Sequence, residues 1–172
     1  LPVYARDGGY LVMATKSGLI KKTATSEFDH ILRSGKIAIR IAEGDELISV
    51  QFAGGEDEIV VASHFGKCIR FSESNVRPMG RDTMGVRAIT LAPGDSVVDM
   101  LVLKPGCDIL TVSENGYGKR TSPEDYRLQT RGGKGIKAGV FSEKTGALVN
   151  MKLVTDEDDV MLVTSAGIVI RM

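Results

Sequence analysis

An internal repeat of about fifty residues constrains this chain more than any other feature. Thr15-Lys16-Ser17-Gly18, Ser63-His64-Phe65-Gly66, Ser113-Glu114-Asn115-Gly116 and Thr164-Ser165-Ala166-Gly167 each set a hydroxyl residue three before a glycine, and the glycines lie 48, 50 and 51 residues apart. Four residues beyond each glycine stands a cation: Lys22, Arg70, Arg120 and Arg171. A second series, Gly35, Gly85 and Gly135, recurs every fifty residues, followed after three residues by Ala38, Ala88 or Ala138 and after six by Ile41, Leu91 or Phe141. Repetition at this period points to stacked modules rather than one irregular core.

Each unit reads as four antiparallel strands. The first two form a hairpin turning at Ser17-Gly18, Phe65-Gly66, Asn115-Gly116 or Ala166-Gly167, where glycine supplies the positive φ of a tight turn. A polar connection follows, then a third strand at residues 36–41, whose apolar and polar residues alternate, and a fourth at 46–52. Four-strand units of this size predict an all-β, propeller-like blade architecture. The repeats run approximately over 10–58, 59–108 and 109–159, with partial units at 1–9 and 160–172. Leu1-Pro2-Val3-Tyr4 aligns with the end of a fourth strand, and Met172 falls within a second strand. The expectation is therefore an open partial ring that begins and ends within a blade. Leu1 in place of an initiator methionine suggests a piece of a longer protein.

The 22 Lys+Arg balance 22 Asp+Glu, but charge follows the repeat phase. Segments 18–41, 66–91 and 116–141 hold five, five and six cations against two anions each, whereas 42–65, 92–115 and 142–166 hold six, four and five anions against none, one and two cations. Stacked blades turn this alternation into a basic rim and an acidic one, the acids collecting near Asp45, Asp57, Asp95 and Asp156 to Asp159. Phosphate binding depends on local cation density, so zero net charge does not exclude it. The candidate contacts are Lys21, Lys22, Arg33 and Lys36 in the first unit, and Lys67, Arg70, Arg77, Arg81 and Arg87 in the second. The third supplies Lys119, Arg120, Arg127, Arg131, Lys134 and Lys137, and Arg171 follows. Nine Phe+Tyr and no Trp leave few stacking platforms for single strands. Phe28, Val76 and Tyr126 share one phase and read as core, which favours duplex phosphates contacted without base readout.

Other chemistry is sparse. His30 and His64 share no phase and read as surface or turn residues. The acidic run at 156–159 lacks the spacing of an EF-hand loop and reads as a solvated turn. Cys68 reads as a small packing residue, and two cysteines make no disulfide framework. No nucleophile–base pair and no phosphate loop before a helix is present, so no catalysis is expected of this chain. No apolar run approaches the ~20 residues of a membrane helix, and no secretory signal opens the chain. A reducing cytoplasmic setting follows.

Gln129-Thr130-Arg131-Gly132-Gly133-Lys134-Gly135 resembles the Q-[RK]-R-G-G-[RK]-G box of the DNA gyrase A C-terminal domain. Met13-Ala14-Thr15-Lys16-Ser17-Gly18-Leu19-Ile20-Lys21-Lys22-Thr23, Gly44-Asp45-Glu46-Leu47-Ile48 and Asn115-Gly116-Tyr117-Gly118-Lys119-Arg120-Thr121 are similar to that domain too, so the resemblance covers nearly the whole chain. It implies a β-pinwheel, in which neighbouring blades exchange strands, and duplex DNA wrapped on the basic rim in support of ATP-dependent negative supercoiling. Arg131 and Lys134 would then supply charge to a phosphate, while Gln129, Gly132, Gly133 and Gly135 complete the box. The resemblance also implies partners, namely the rest of the gyrase A polypeptide plus gyrase B in an A2B2 complex, in bacterial cytoplasm. ATP and Mg2+ would sit on other domains or other polypeptides, with no cofactor in this fragment. Thr130 stands where the box has a cation, and this copy lies in the third unit rather than the family's first blade. The chain is therefore expected to span blades three to five, with the defining box upstream of Leu1. The family's cleavage tyrosine belongs to another domain, so Tyr4, Tyr10, Tyr117 and Tyr126 do not inherit its role. The rival readings are the C-terminal domain of the corresponding topoisomerase IV polypeptide and a protein-binding propeller scaffold.

Overall fold

The computed structural model describes residues 8–29 and 34–171, and the readings made for Tyr4, His30 and Arg33 lie outside them. Every strand pair is antiparallel, and three short 3-10 turns, Thr25–Phe28, Glu73–Asn75 and Pro123–Asp125, are the only helical pieces among the described residues. The first unit gives β1 (Tyr10–Thr15), β2 (Leu19–Ala24) and β3 (Leu47–Ala53). The second gives β4 (Glu58–Ser63), β5 (Lys67–Ser72), β6 (Val86–Arg87) and β7 (Val97–Val102). The third gives β8 (Asp108–Ser113), β9 (Gly118–Thr121), β10 (Ile136–Lys137) and β11 (Leu148–Val154), and the hairpin β12 (Met161–Val163) and β13 (Val169–Arg171) follows.

The predicted hairpins form around glycines with φ between 78° and 90°. The recurring hydroxyl has a double role. Its carbonyl accepts the turn glycine's N–H, at 3.0 Å for Gly18 to Thr15 and 2.9 Å for Gly66 to Ser63. Its side-chain oxygen accepts the next N–H, from Leu19, Lys67 or Ile168.

The third strand departs from expectation. Residues 36–41 carry no strand, and their equivalents shrink to β6 and β10. These two-residue strands do not join their own unit: the sheets run β3-β1-β2-β6 and β10-β5-β4-β7, so the fourth strand of each comes from the following unit. Among the described residues no earlier hairpin stands for residues 36–41 to join, and Ile37 and Ile41 are exposed. The remaining sheets are β11-β8-β9 and β12-β13, and the array is open.

The exchange explains the second glycine series. Ala88 donates its N–H to the Gly18 carbonyl at 2.8 Å, and Ala138 to that of Gly66 at 2.9 Å. Each incoming strand passes so close to its host that a Cβ on Gly85 or Gly135 would stand 2.5 Å from the carbonyl oxygen of Ile20 or Cys68. The apolar residue six beyond then covers the host glycine, Leu91 against Gly18 and Phe141 against Gly66.

Two cores fill the seams. Ile59 and Val61 of β4 enter the first with Ile20, Ile69, Phe71, Val76, Ala88 and Met100. Val60 and Ala62 enter the second with Cys68, Ile109, Tyr126, Ala138, Leu148 and Met151. A sheet buried on both faces needs apolar residues at successive positions, which is why β4 reads Ile-Val-Val-Ala without alternation. Cys68 is buried, as expected of a packing residue, and burial pushes its thiol up to about 12. The inner strands β3, β7 and β11 lie side by side. Polar side chains join them: Gln51 donates to the Met100 carbonyl at 2.6 Å and accepts from Val102 N–H at 2.9 Å.

The first seam also holds a buried ion pair. Lys22 Nζ lies 3.2 Å from the Glu73 carboxylate, with side chains 4% and 0% exposed. Glu73 in addition accepts the N–H groups of Gly55 and Asp57.

Two contrasting pairs of outcomes are expected in urea unfolding. Gly135→Ala should cost several kcal/mol, because positive φ strain of about 1–3 kcal/mol is joined by collision with Cys68. Gly44→Ala, with a similar φ and open space around it, should cost only the strain. Glu73→Gln should cost about 3 kcal/mol by leaving Lys22 buried without its counter-ion. Glu124→Gln, whose side chain is 80% exposed beside Arg70, should stay within about 1 kcal/mol.

Candidate nucleic-acid interface

The cations four beyond each turn glycine, expected on the rim, are engaged by carboxylates. Arg70 binds Glu58 at 2.6 Å and Glu124 at 3.0 Å. Arg120 binds Asp108 at 2.6 Å and Asp156 at 2.7 Å, and Arg171 pairs with Asp159. Hairpin register is the reason. Val60 faces Arg70 and Glu58 faces Ser72, so residues twelve apart are diagonal neighbours on one face. In the first unit Tyr10 occupies the acid's place, and Lys22 Nζ sits 4.7 Å from its ring centroid while pairing with Glu73. Arg70 also donates to the carbonyls of Pro123 and Tyr126 in the next unit. Lys22 and Arg70, buried in these ties, are thus structural cations and not part of a phosphate-binding rim, whereas Arg120 and Arg171 stay exposed beside their carboxylates. The acid twelve residues earlier, at Glu58, Asp108 and Asp159, was the sequence signal that could have revealed this.

Lys21, expected on the rim, is a structural cation as well. It is wholly buried, donating to the carbonyls of Ala38 at 2.7 Å, Thr83 at 3.3 Å and Arg81. Desolvation lowers its pKa, with Asp82 acting in the opposite direction. Lys36 turns to the carbonyls of Glu27 and Asp29.

The arginine of the box-like segment is a strap across the second seam. Arg131 Nε donates to the Asn75 carbonyl at 2.8 Å and its Nη1 to the Arg87 carbonyl at 3.0 Å. Arg81, fifty residues earlier, repeats the second contact on Ile37 at 2.9 Å. Gly132 brings its N–H to the Ala88 carbonyl at 2.6 Å, so the box glycines serve close backbone approach between units. Asp82 replaces Gly132 in the second unit, and Arg40 grips it at 2.5 Å and 2.7 Å.

The acids near the hairpin turns also act structurally. Asp45 accepts from Ser17 N–H at 2.8 Å, Ser17 hydroxyl at 2.5 Å and Glu46 N–H at 2.8 Å. Burial works against its charge, but these donors outweigh it and hold the carboxyl below its usual range. Asp95 repeats the contact on Phe65 and Ser96. His64 lies in the hairpin turn, as expected of a surface or turn residue, and is half-buried there, its Nδ1 lying 3.1 Å from the Leu148 carbonyl.

What remains is a smaller set of cations. Arg77 and Arg127, fifty residues apart, are exposed just after the 3-10 turns, beside the parallel bridges Lys22–Pro78 and Arg70–Leu128. Arg87 and Lys137, also fifty apart, are exposed on the exchanged strands. Lys67 is half-buried at the start of β5, and Lys134 is exposed in the box-like turn. Among the described residues none of the six has a carboxylate within ion-pair distance. Lys119 is free as well, but it lies on the uncovered edge of β9, where its counterparts Lys21 and Ile69 are covered by the next unit.

With this geometry in place, comparison with known proteins becomes specific. The family model described as "DNA gyrase C-terminal domain, beta-propeller" matches residues 9–53, 57–104, 108–155 and 158–172. The DNA gyrase A protein of Staphylococcus aureus (strain MRSA252) is 47% identical over 168 residues, covering 96% of this chain and 19% of that protein. This chain therefore spans about a fifth of the length of the curated relatives it matches. Among solved structures, a DNA gyrase A C-terminal domain superimposes with a TM-score of 0.84 at 29% identity, over 96% of this chain and 56% of that one. The C-terminal domain of a DNA topoisomerase IV superimposes with a TM-score of 0.89 at 20% identity, over 100% and 54%, a likeness of fold. On the match across all its repeats, the chain belongs to the DNA gyrase C-terminal domain family of β-propellers.

Proposed function

We propose that this chain binds duplex DNA without sequence preference, as the DNA-wrapping domain of a gyrase A protein. The observation that carries the reading is the repeat-related pairs Arg77/Arg127 and Arg87/Lys137, which keep free charges at the same place on successive units while most of the other described cations of the basic segments are engaged internally. Contacts repeated from blade to blade suit a curved duplex. Bending 20–30 bp by 40–90° costs on the order of 1–6 kcal/mol, so that cost must be spread over successive phosphates. The gyrase assignment rests on the 47% identity, since the fold is shared with topoisomerase IV. The wider reading follows: partners in the remainder of the gyrase A polypeptide and in gyrase B, ATP and Mg2+ held elsewhere, negative supercoiling as the shared activity, and bacterial cytoplasm as the setting.

An electrophoretic mobility series on linear duplexes of unrelated sequence, run across salt concentrations, tests the reading. Arg77→Ala with Arg127→Ala should weaken binding about equally for every sequence and reduce the log–log salt slope by about two. Arg70→Ala should instead lower the unfolding midpoint, through loss of the ties to Glu58, Pro123 and Tyr126. Binding that ignored salt, or none at all by the folded chain, would favour a protein-binding scaffold.

A further inference from the structure

We propose that Lys67 and Lys137 form a phosphate clamp across the second seam, so that gripping a duplex phosphate also tightens the joint between two blades. The proposal deepens the DNA-binding reading and rests on it.

In the pairing of β5 with β10, Lys137 stands directly opposite Lys67, and Ile136 opposite Cys68. Directly opposed residues of antiparallel strands project on the same face of the sheet. Cys68 and Ile136 take the face that enters the second core, so the two lysines share the other one. Like charges set opposite each other destabilise a strand pair, and among the described residues neither ammonium has a carboxylate in ion-pair range. The first seam avoids the conflict, since Arg87 there faces Leu19. At the position four beyond each turn glycine the chain provides the cation with an acid: Glu73 for Lys22, Glu58 for Arg70, Asp108 for Arg120 and Asp159 for Arg171. At the Lys67–Lys137 pair no such acid is supplied, on a fourth strand only two residues long.

An anionic oxygen group lodged between the ammoniums would remove the repulsion and add two charge-assisted hydrogen bonds. A duplex phosphate is the occupant that the exposed Lys134, three residues before Lys137 in the chain, favours. Because the pair exists only when the third unit is docked on the second, its ligand stabilises the docked seam by mass action. The lysines would then weaken the empty seam and strengthen the loaded one.

The test uses Lys67→Met, Lys137→Met and the double variant, which keep the apolar stems and drop the charge. Without DNA, each single variant should unfold about 1–2 °C above the parent at roughly 20 mM salt, and the difference should vanish at roughly 500 mM. Sodium phosphate at matched ionic strength should raise the parent midpoint more than that of any variant. With duplex DNA, each single change should weaken binding about fivefold, and the double should lose less than the product of the two because one phosphate is shared. Variants that unfold no later than the parent at low salt overturn the clamp, as do unchanged duplex affinities or losses that multiply in full. If the clamp fails while Arg77→Ala with Arg127→Ala still weakens binding, the DNA reading stands without it. If neither set changes binding, the DNA reading fails too.

Discussion

The joint between Gly18 and Ala88, repeated between Gly66 and Ala138, is the contact on which this architecture rests. Each of the first two hairpins offers a carbonyl at its turn, and the following unit answers with an alanine N–H and a glycine so near the host strand that an added Cβ would stand 2.5 Å from a carbonyl oxygen. Ala at that place is small enough to be buried, and Gly85 and Gly135 are the residues that a passage so close to the host strand permits. No sheet among the first two is complete by itself, because one strand of four belongs to the next unit. Neighbour dependence of this kind makes stability a sum over interfaces rather than over separate modules.

Charge divides accordingly. Lys21, Lys22, Arg70, Arg81 and Arg131 hold units to one another through carbonyls and carboxylates of neighbouring segments. Arg120 and Arg171 brace their own hairpins. The free cations lie instead on exchanged strands, just after the 3-10 turns, at the start of β5, in the box-like turn and on the edge strand β9. A desolvated ammonium such as that of Lys21 must find oxygen partners, so a buried lysine reports on packing, whereas an exposed one without a partner is available to a ligand.

The repeat, the hairpins and the all-β class were legible because they rest on local signals: glycine at a turn, hydroxyls three before it, apolar runs of strand length. Residues 36–41 misled because their alternation is real, but a strand needs a partner and theirs would come from an earlier unit. The structural role of Arg70 was hidden because its partners lie twelve and about fifty residues away, and Lys21 was misread for the same reason. Arg131 shows the limit of a motif. Its glycines and cation suggested a phosphate cradle, and the same residue types equally suit a tight backbone crossing. Tyr10 in place of an acid diagonal to Lys22 shows the repeat tolerating a different solution once Glu73 supplies the charge from the next unit.

The two-residue strand β10 has one more consequence. Lys104, Pro105 and Gly106 form the exposed link between the second and third units, and a backbone cut there would not by itself release the halves. Ile136 and Lys137 would still be laced into β5, and β11 would still lie along β7. The array is in effect a chain of clasps, in which covalent continuity and mechanical continuity follow different routes.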